Sequence, residues 1–254
     1  MNLLTHPDIQ TVQAYWNARP CNIRHSTQPI GTKEYFDEVE KRKYFVEPHI
    51  PGFAQFERWS GKKVLEVGCG IGTDTMNFAR AGALVTAVDL SDESLKLAEQ
   101  RAKVFDLQER ISFYQGNAEE LSSVVPVEPY DLVYSFGVLH HTPNPNNAII
   151  EIRKFMSSAS ELRIMLYAKN SWKNIMIEAG LDQPEAQSGC PIAFTFTHQE
   201  ARDLLEGFQI LDIRQDHIFP FVIEKYVKHE YEVVPWFSAM PRDMFAALEK
   251  TLGW

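Results

Sequence analysis

The sequence predicts a doubly wound α/β sheet, and three observations predict it. Short β-branched runs alternate with amphipathic helices from about residue 60 to residue 168. A glycine-rich turn, Gly68-Cys69-Gly70-Ile71-Gly72, closes the first run. An acid, Asp89, closes the second, 19 residues after Gly70. The strands are nearly continuous in apolar residues, which marks a parallel sheet covered on both faces. Right-handed crossovers then wind it in both directions.

In chain order, Lys63 to Val67 (KVLEV) is the first strand, and Thr73 to Arg80 is a helix stopped near Gly82. Ala83 to Val88 is the second strand. Ser91 is an N-cap, and Asp92 and Glu93 suit the positive end of the helix it starts. Leu95, Ala98, Ala102 and Phe105 give that helix its apolar face. Ile111 to Tyr114, Tyr130 to Phe136 and Leu162 to Tyr167 are the third, fourth and fifth strands. Beyond them, Thr197 and Glu200 form a capping box for a helix ending near Leu205. Phe208 to Gln215 is a further strand. The expected divisions are an N-terminal helical lid at 1–59, a core at 60–168, and a C-terminal part at 169–254 that completes the sheet and an acceptor pocket. Pro20, Pro48 and Pro51 punctuate the first, and Pro184, Pro191, Pro220, Pro235 and Pro241 the last.

Composition narrows the function. The 254 residues suit one large domain with appendages, or two small ones. A formal charge of −9 disfavours nucleic acid, which needs a clustered basic face. The dense basic run Lys41-Arg42-Lys43 follows Glu38 and Glu40 and is expected to be a solvated helix face. No window approaches the ~18 apolar residues of a membrane span. The start, MNLLTHPDIQ, lacks the pattern of a secretory signal. Cys21, Cys69 and Cys190 are too few and scattered for a disulfide framework, so a reducing cytoplasm is expected. Cys21 and His25 are four apart, but no second pair completes a zinc site, so no metal is expected. Cys69 is expected to be a small packed residue rather than a nucleophile.

The turn carries the chemistry. Its glycines let the chain bend tightly and let a ligand approach without meeting a Cβ atom. The spacing is G-x-G-x-G, with Thr73 where a dinucleotide fingerprint wants its third glycine. Glu66 stands two residues before the first glycine. That extra negative charge opposes a pyrophosphate and suits a ligand bearing an ammonium and a sulfonium. Asp89 can accept hydrogen bonds from both hydroxyls of a ribose.

Four strings in order, VLEVGCGIGTD (Val64 to Asp74), AVDLS (Ala87 to Ser91), GNAEEL (Gly116 to Leu121) and YDLVYSFGVLHHTPNP (Tyr130 to Pro145), resemble the class I S-adenosylmethionine-dependent methyltransferases. The resemblance covers roughly residues 60 to 168. It implies a mostly parallel, seven-stranded Rossmann-like sheet with S-adenosylmethionine as cofactor and S-adenosylhomocysteine as product. Glu66 and the backbone near Gly68 then hold the methionine end. Gly70 and Gly72 let the cofactor lie against the turn, to which Cys69, Thr73 and Asp74 also belong. Asp89 binds the ribose and Leu90 packs near the adenine. Asn117 and Ala118 meet the adenine edge, although an acid is common where Asn117 stands. Phe136 and Gly137 close the pocket, and Tyr44 or His49 touches the cofactor's carboxylate.

Methyl transfer from a sulfonium requires placement and exclusion of water. A hydroxyl acceptor usually also needs a base. His141 is preferred as that base and His140 as a loop or cofactor contact, the alternative being that both only shape the loop before Pro143. Arg19 or Arg24 could hold an acceptor carboxylate or phosphate, with His25 and Tyr35 beside them. Ser135-Phe136-Gly137-Val138 replaces the N/D-P-P-Y/F/W turn used for nucleobase and glutamine amides. The expected function is methylation of a small-molecule acceptor, oxygen slightly before nitrogen. The alternatives are a peptide or protein acceptor, a binding protein that has lost transfer, and a nicotinamide oxidoreductase on the same sheet.

Overall fold

A computed structural model of the chain describes residues 7–180 and 189–253. Pro184, Trp254 and residues 1–6 of the N-terminal stretch lie outside the described residues. The chain divides into two compact units, Met1–Met165 and Leu166–Trp254.

The first unit begins with three helices, α1 (Ile9–Ala18), α2 (Lys33–Val46) and α3 (Ile50–Ala54). Asp8 caps α1 by accepting from the Thr11 N–H at 2.8 Å, and Thr32 caps α2 by accepting from the Tyr35 N–H at 3.2 Å. The alternation then runs β1 (Lys63–Val67), α4 (Thr73–Arg80), β2 (Leu84–Asp89), α5 (Asp92–Val104), β3 (Ile111–Gln115), β4 (Leu132–Phe136), α6 (Pro145–Arg153) and β5 (Glu161–Met165). Ser91 caps α5, its Oγ accepting from the Ser94 N–H at 3.0 Å. The strands pair in the order β3-β2-β1-β4-β5, every pairing parallel. Val64, Val85, Ala87, Leu132 and Tyr134 of the sheet pack with Met76, Phe78 and Leu95 of α4 and α5 into one buried cluster.

The described residues form a five-stranded sheet rather than a seven-stranded one. Phe208 to Gln215, expected as a strand, takes no regular secondary structure. No ladder satisfies it: Leu211 is 76 % exposed, and Asp212 and Arg214 are exposed around it. Smaller shifts share one cause, the destination of a backbone N–H. Ala83 donates to Phe78 O, closing α4, so β2 starts at Leu84. Tyr130 donates to Phe155 O, so β4 starts at Leu132. The β5 ladder ends at Met165, short of Tyr167.

The expected solvated face at 41–43 is also corrected. Only Lys41 is exposed; Arg42 is buried and Lys43 reaches into the unit. Tyr35, Val39, Arg42 and Val46 recur at helical spacing on the packed side of α2, and that stripe carries the basic residues inward.

The second unit holds α7 (Trp172–Glu178), α8 (His198–Leu204), α9 (Ile223–Tyr226), α10 (Pro235–Ser238) and α11 (Arg242–Leu252). The Thr197–Glu200 capping box is present at α8. Trp172 packs on Trp236 and Phe237, and Phe219, Phe221, Tyr226 and Tyr231 form a second ring cluster. Among the described residues, no helix is long and apolar enough to cross a membrane. None of their His, Cys, Asp and Glu side chains form a group that could hold a metal ion.

Candidate active site

The chain leaves β1 toward β2 on one side and reaches β4 on the other, so the sheet reverses its order between β1 and β4. A crevice forms where the connections diverge beyond the carboxyl ends of such strands. All four sequence motifs lie at those ends. Gly68 has φ +82°, and a Cβ there would lie 2.1 Å from Val138 Cγ2, so only glycine lets the turn after β1 meet the loop after β4. Gly70 has φ +54° and nothing within 4 Å of where its Cβ would point, which leaves its face open to a ligand.

Asp89 closes β2 beside that open face. One carboxylate oxygen accepts from the Gly70 N–H at 2.7 Å and the other from the Ser91 N–H at 2.8 Å. Burial pushes its pKa up, against the backbone donors, and the net shift is upward.

A second acidic cluster lies under the turn. Glu66 is 3 % exposed, and its carboxylate accepts from Thr75 Oγ1 at 2.5 Å. Burial above all, then the charge of Asp74, pushes its pKa to about 8. Asp74, in the first turn of α4, accepts from Lys43 Nζ (2.8 Å), the Tyr44 hydroxyl (2.9 Å) and the Tyr134 hydroxyl (2.9 Å). Burial first and Asp74 second hold both phenols well above their ordinary pKa, so they remain donors. Burial pulls the Lys43 ammonium down, but Asp74, Glu47 and Glu66 outweigh it and its pKa ends raised.

Thr73 is bound from the other side. Arg101 of α5 is fully buried and donates to Thr73 Oγ1 at 2.6 Å, to Phe36 O at 3.1 Å and to Glu40 at 2.9 Å. Arg80 donates to the same Glu40. Two ionic clusters thus tie α2 to the helices around the glycine turn.

At the opposite end, α1 spans from β2 to β4. Gln13 donates to Leu90 O at 3.1 Å, Ser91 Oγ to Trp16 O at 3.4 Å, and the Trp16 ring lies 5.1 Å from that of His141. His140 is fully buried, 4.3 Å behind His141 ring to ring. Asn117 accepts from the Glu119 N–H at 3.0 Å, so its oxygen already caps its own loop, beside buried Ala118. Phe136 lies among His49, Phe53 and Tyr134, and Gly137 donates to Met165 O.

The structure therefore gathers Glu66, Gly68, Cys69, Gly70, Gly72, Thr73, Asp74, Asp89, Leu90, Asn117, Ala118, Phe136, Gly137, His140 and His141 at one edge of the sheet. It treats the acceptor candidates differently. Tyr35 is buried with Phe36, Val39 and Ile71, and its hydroxyl donates to Ile23 O at 2.8 Å. Burial pushes that phenol to about 12. His25 is buried, and the Arg24 side chain is exposed while its carbonyl accepts from Arg42. Lys43, Thr75, Tyr134 and Arg101 escape the sequence reading. The apolar stripe of α2 is the signal for Lys43; Thr75 and Tyr134 carry none.

The methyltransferase-domain family profile matches residues 59–206. The ubiquinone biosynthesis O-methyltransferase of Aromatoleum aromaticum is 34% identical over 90 residues, 35% of this chain and 37% of that protein. Its namesake from Glaesserella parasuis is 29% identical over 125 residues, 48% of this chain and 52% of that protein. The chain thus spans about half or less of the length of these curated relatives. Among solved structures, the magnesium protoporphyrin IX methyltransferase of Synechocystis PCC 6803 superposes with a TM-score of 0.61 at 19% identity, covering 83% of this chain and 94% of that one. The [4+2]-cyclase SpnF gives 0.56 at 20% identity, covering 82% and 74%. At those identities the superpositions show the shared α/β sheet.

Proposed function

The chain belongs to the S-adenosylmethionine-dependent methyltransferase family, and on that premise we propose that it methylates a small-molecule acceptor, at oxygen in preference to nitrogen. The observation that carries this reading is the acidic crevice. Asp89 accepts from the Gly70 N–H beside that residue's open face, and Glu66 and Asp74 lie buried under the turn with Lys43 as their counter-charge. That balance suits a ligand with a net positive charge, and the missing Cβ of Gly70 suits its close approach.

When bound, S-adenosylmethionine supplies an electrophilic methyl group on a sulfonium that leaves as the neutral thioether of S-adenosylhomocysteine. Asp89 binds the ribose hydroxyls with its remaining lone pairs, while the Gly70 and Ser91 N–H groups hold its carboxylate still. Leu90, Ala118 and Asn117 flank the adenine. Glu66 faces the ammonium. Phe136 and Trp16 keep water from the region between β1 and β4, and His141 Nδ1 or Nε2 takes the acceptor's proton. The matched relatives named O-methyltransferases favour the same acceptor atom.

The direct test is mass spectrometry of cell extract incubated with the protein and methyl-labelled cofactor; the absence of any labelled small molecule would overturn the reading. In a folded Asp89→Ala variant, cofactor affinity is expected to fall by about 1–3 kcal/mol, roughly 5- to 150-fold in Kd. Calorimetry giving the same Kd would remove Asp89 from the site.

Glu66 sets the pH dependence. Its pKa in the free protein is about 8, so near pH 7 the carboxyl is largely protonated. A bound cation favours the ionised form and lowers that pKa. Binding therefore releases a proton below about pH 8, affinity rises with pH, and it levels off above that value. Calorimetry in buffers of different ionisation enthalpy measures the proton count. A count near zero at pH 7, or affinity falling as the pH rises from 6 to 8, would contradict the linkage.

A further inference from the structure

The loop that carries His141 runs from Gly137, at φ +75°, to Asn144, the N-cap of α6. Pro143 and Pro145 bracket Asn144. Proline has no N–H, a fixed φ, and a preference for extended backbone in the residue before it. Thr142 is extended accordingly, at φ −90° and ψ 145°. Residues 143 to 145 thus carry a single backbone donor, the Asn144 N–H. Glu119 takes it, its carboxylate accepting at 2.8 Å. Inside the loop, His141 N–H donates to Val138 O at 2.8 Å and Thr142 Oγ1 to Leu139 O at 2.9 Å. Those bonds give the loop its shape. Glu119 fastens its far end to the neighbouring turn.

That turn is Ala118–Ser123, after β3. The Glu119 N–H donates to Asn117 Oδ1 at 3.0 Å, so one residue bonds both ways. The body of α6 is held to the same turn separately. Ser122 N–H donates to Glu151 at 2.9 Å, and Lys154 donates to Ser122 Oγ and to Glu151. Burial pushes the Glu151 carboxyl up, but Lys154 and Ser122 outweigh it and its pKa ends lowered. Losing Glu119 would therefore leave α6 docked and release the loop alone.

We infer that Glu119 is a positioning residue for the methyl transfer. By holding Asn144 it sets where His141 stands relative to Asn117 and Ala118. This rests on the proposed function, in which His141 takes the acceptor's proton and Asn117 and Ala118 flank the adenine. Glu119 acts through Asn144 and touches no reacting atom.

The test uses the full chain, methyl-labelled S-adenosylmethionine at saturation and one cell extract, with the rate of label entering the small-molecule fraction as readout. Calorimetry with S-adenosylhomocysteine gives cofactor affinity for the same proteins. Glu119→Ala is expected to lower the rate by about 10- to 100-fold, the scale of a small misplacement, with Kd within about threefold. Glu119→Met, which keeps bulk without an acceptor, is expected to match it. Glu119→Gln keeps an acceptor oxygen and is expected to stay within about threefold of the wild-type rate. Glu120→Ala removes an exposed charge next to Glu119 and is expected to change neither quantity. In a His141→Ala background, Glu119→Ala is expected to cost less than about threefold more, because nothing remains to be placed.

A wild-type rate in folded Glu119→Ala or Glu119→Met would overturn the role of Glu119 while leaving the methyltransferase reading intact. So would Glu119→Gln or Glu120→Ala falling as far as Glu119→Ala, affinity falling in step with rate, or the full loss recurring without His141. A wild type that labels no small molecule would remove the proposed function, and this inference with it.

Discussion

Replacing Asp74 by alanine is expected to cost about 3–5 kcal/mol of unfolding free energy, the range for removing one partner of a buried charge pair. The cost comes less from the attraction lost than from what stays behind. Lys43 would keep its charge in the interior, and the Tyr44 and Tyr134 hydroxyls would lose their common acceptor. Urea unfolding followed by circular dichroism measures the effect. The pair Lys33–Asp37 is the control, with 60 % and 49 % of its side chains exposed. Asp37→Ala there is expected to cost less than about 1 kcal/mol. A loss of under 1 kcal/mol for Asp74→Ala would show that the cluster under the glycine turn is solvated rather than buried. Asp74→Asn, which keeps an acceptor oxygen for the phenols, is expected to lie between alanine and the wild type.

His141→Ala is expected to lower kcat by about 10²- to 10⁴-fold, the range for loss of a general base, while cofactor affinity changes far less. The histidine sits on a short turn after β4, its backbone N–H bonded to Val138 O at 2.8 Å. That turn meets Gly68 through Val138, so the position of His141 is coupled to the glycine turn. His140, fully buried behind it, is expected to affect turnover through placement alone, so His140→Gln is expected to be the milder change. Single-turnover rates and cofactor affinity, measured for each variant, separate the two roles. A folded His141→Ala variant with the wild-type rate would take the residue out of the chemistry.

The parts of the molecule governed by local rules were legible. Lys63–Val67 and Thr73–Arg80 follow directly from a short apolar run and a glycine-bounded helix. Ser91 and the Thr197–Glu200 box are caps whose geometry lies within four residues. The glycine turn is likewise legible, because the positive φ of Gly68, Gly70 and Gly72 restricts those positions to few residue types. Non-local effects were not. The strand expected at Phe208 to Gln215 needed a partner, and an alternating pattern cannot say whether one exists. Lys41-Arg42-Lys43 looks solvated by composition, yet the apolar stripe through Tyr35, Val39 and Val46 carries Arg42 and Lys43 inward. Tyr35 looked like an acceptor ligand because its hydroxyl is polar. Its environment, set by Phe36 and Ile71, makes it a packed residue with its donor spent on Ile23. Arg101 shows the same limit: on α5 it is one basic residue among several, and its burial depends on Glu40 and Thr73 arriving from elsewhere in the chain.

The contact between Trp16 and His141 joins positions 125 residues apart in the chain. At a synthesis rate of about 5–20 residues per second, roughly 6–25 s separate the emergence of the two. For more than half of that interval α1 has been made but has no partner there, since Leu90 and Ser91 are also still to come. A segment synthesised early is therefore among the last to settle, and the pairing of α1 with the β4 loop forms only after that loop has been translated.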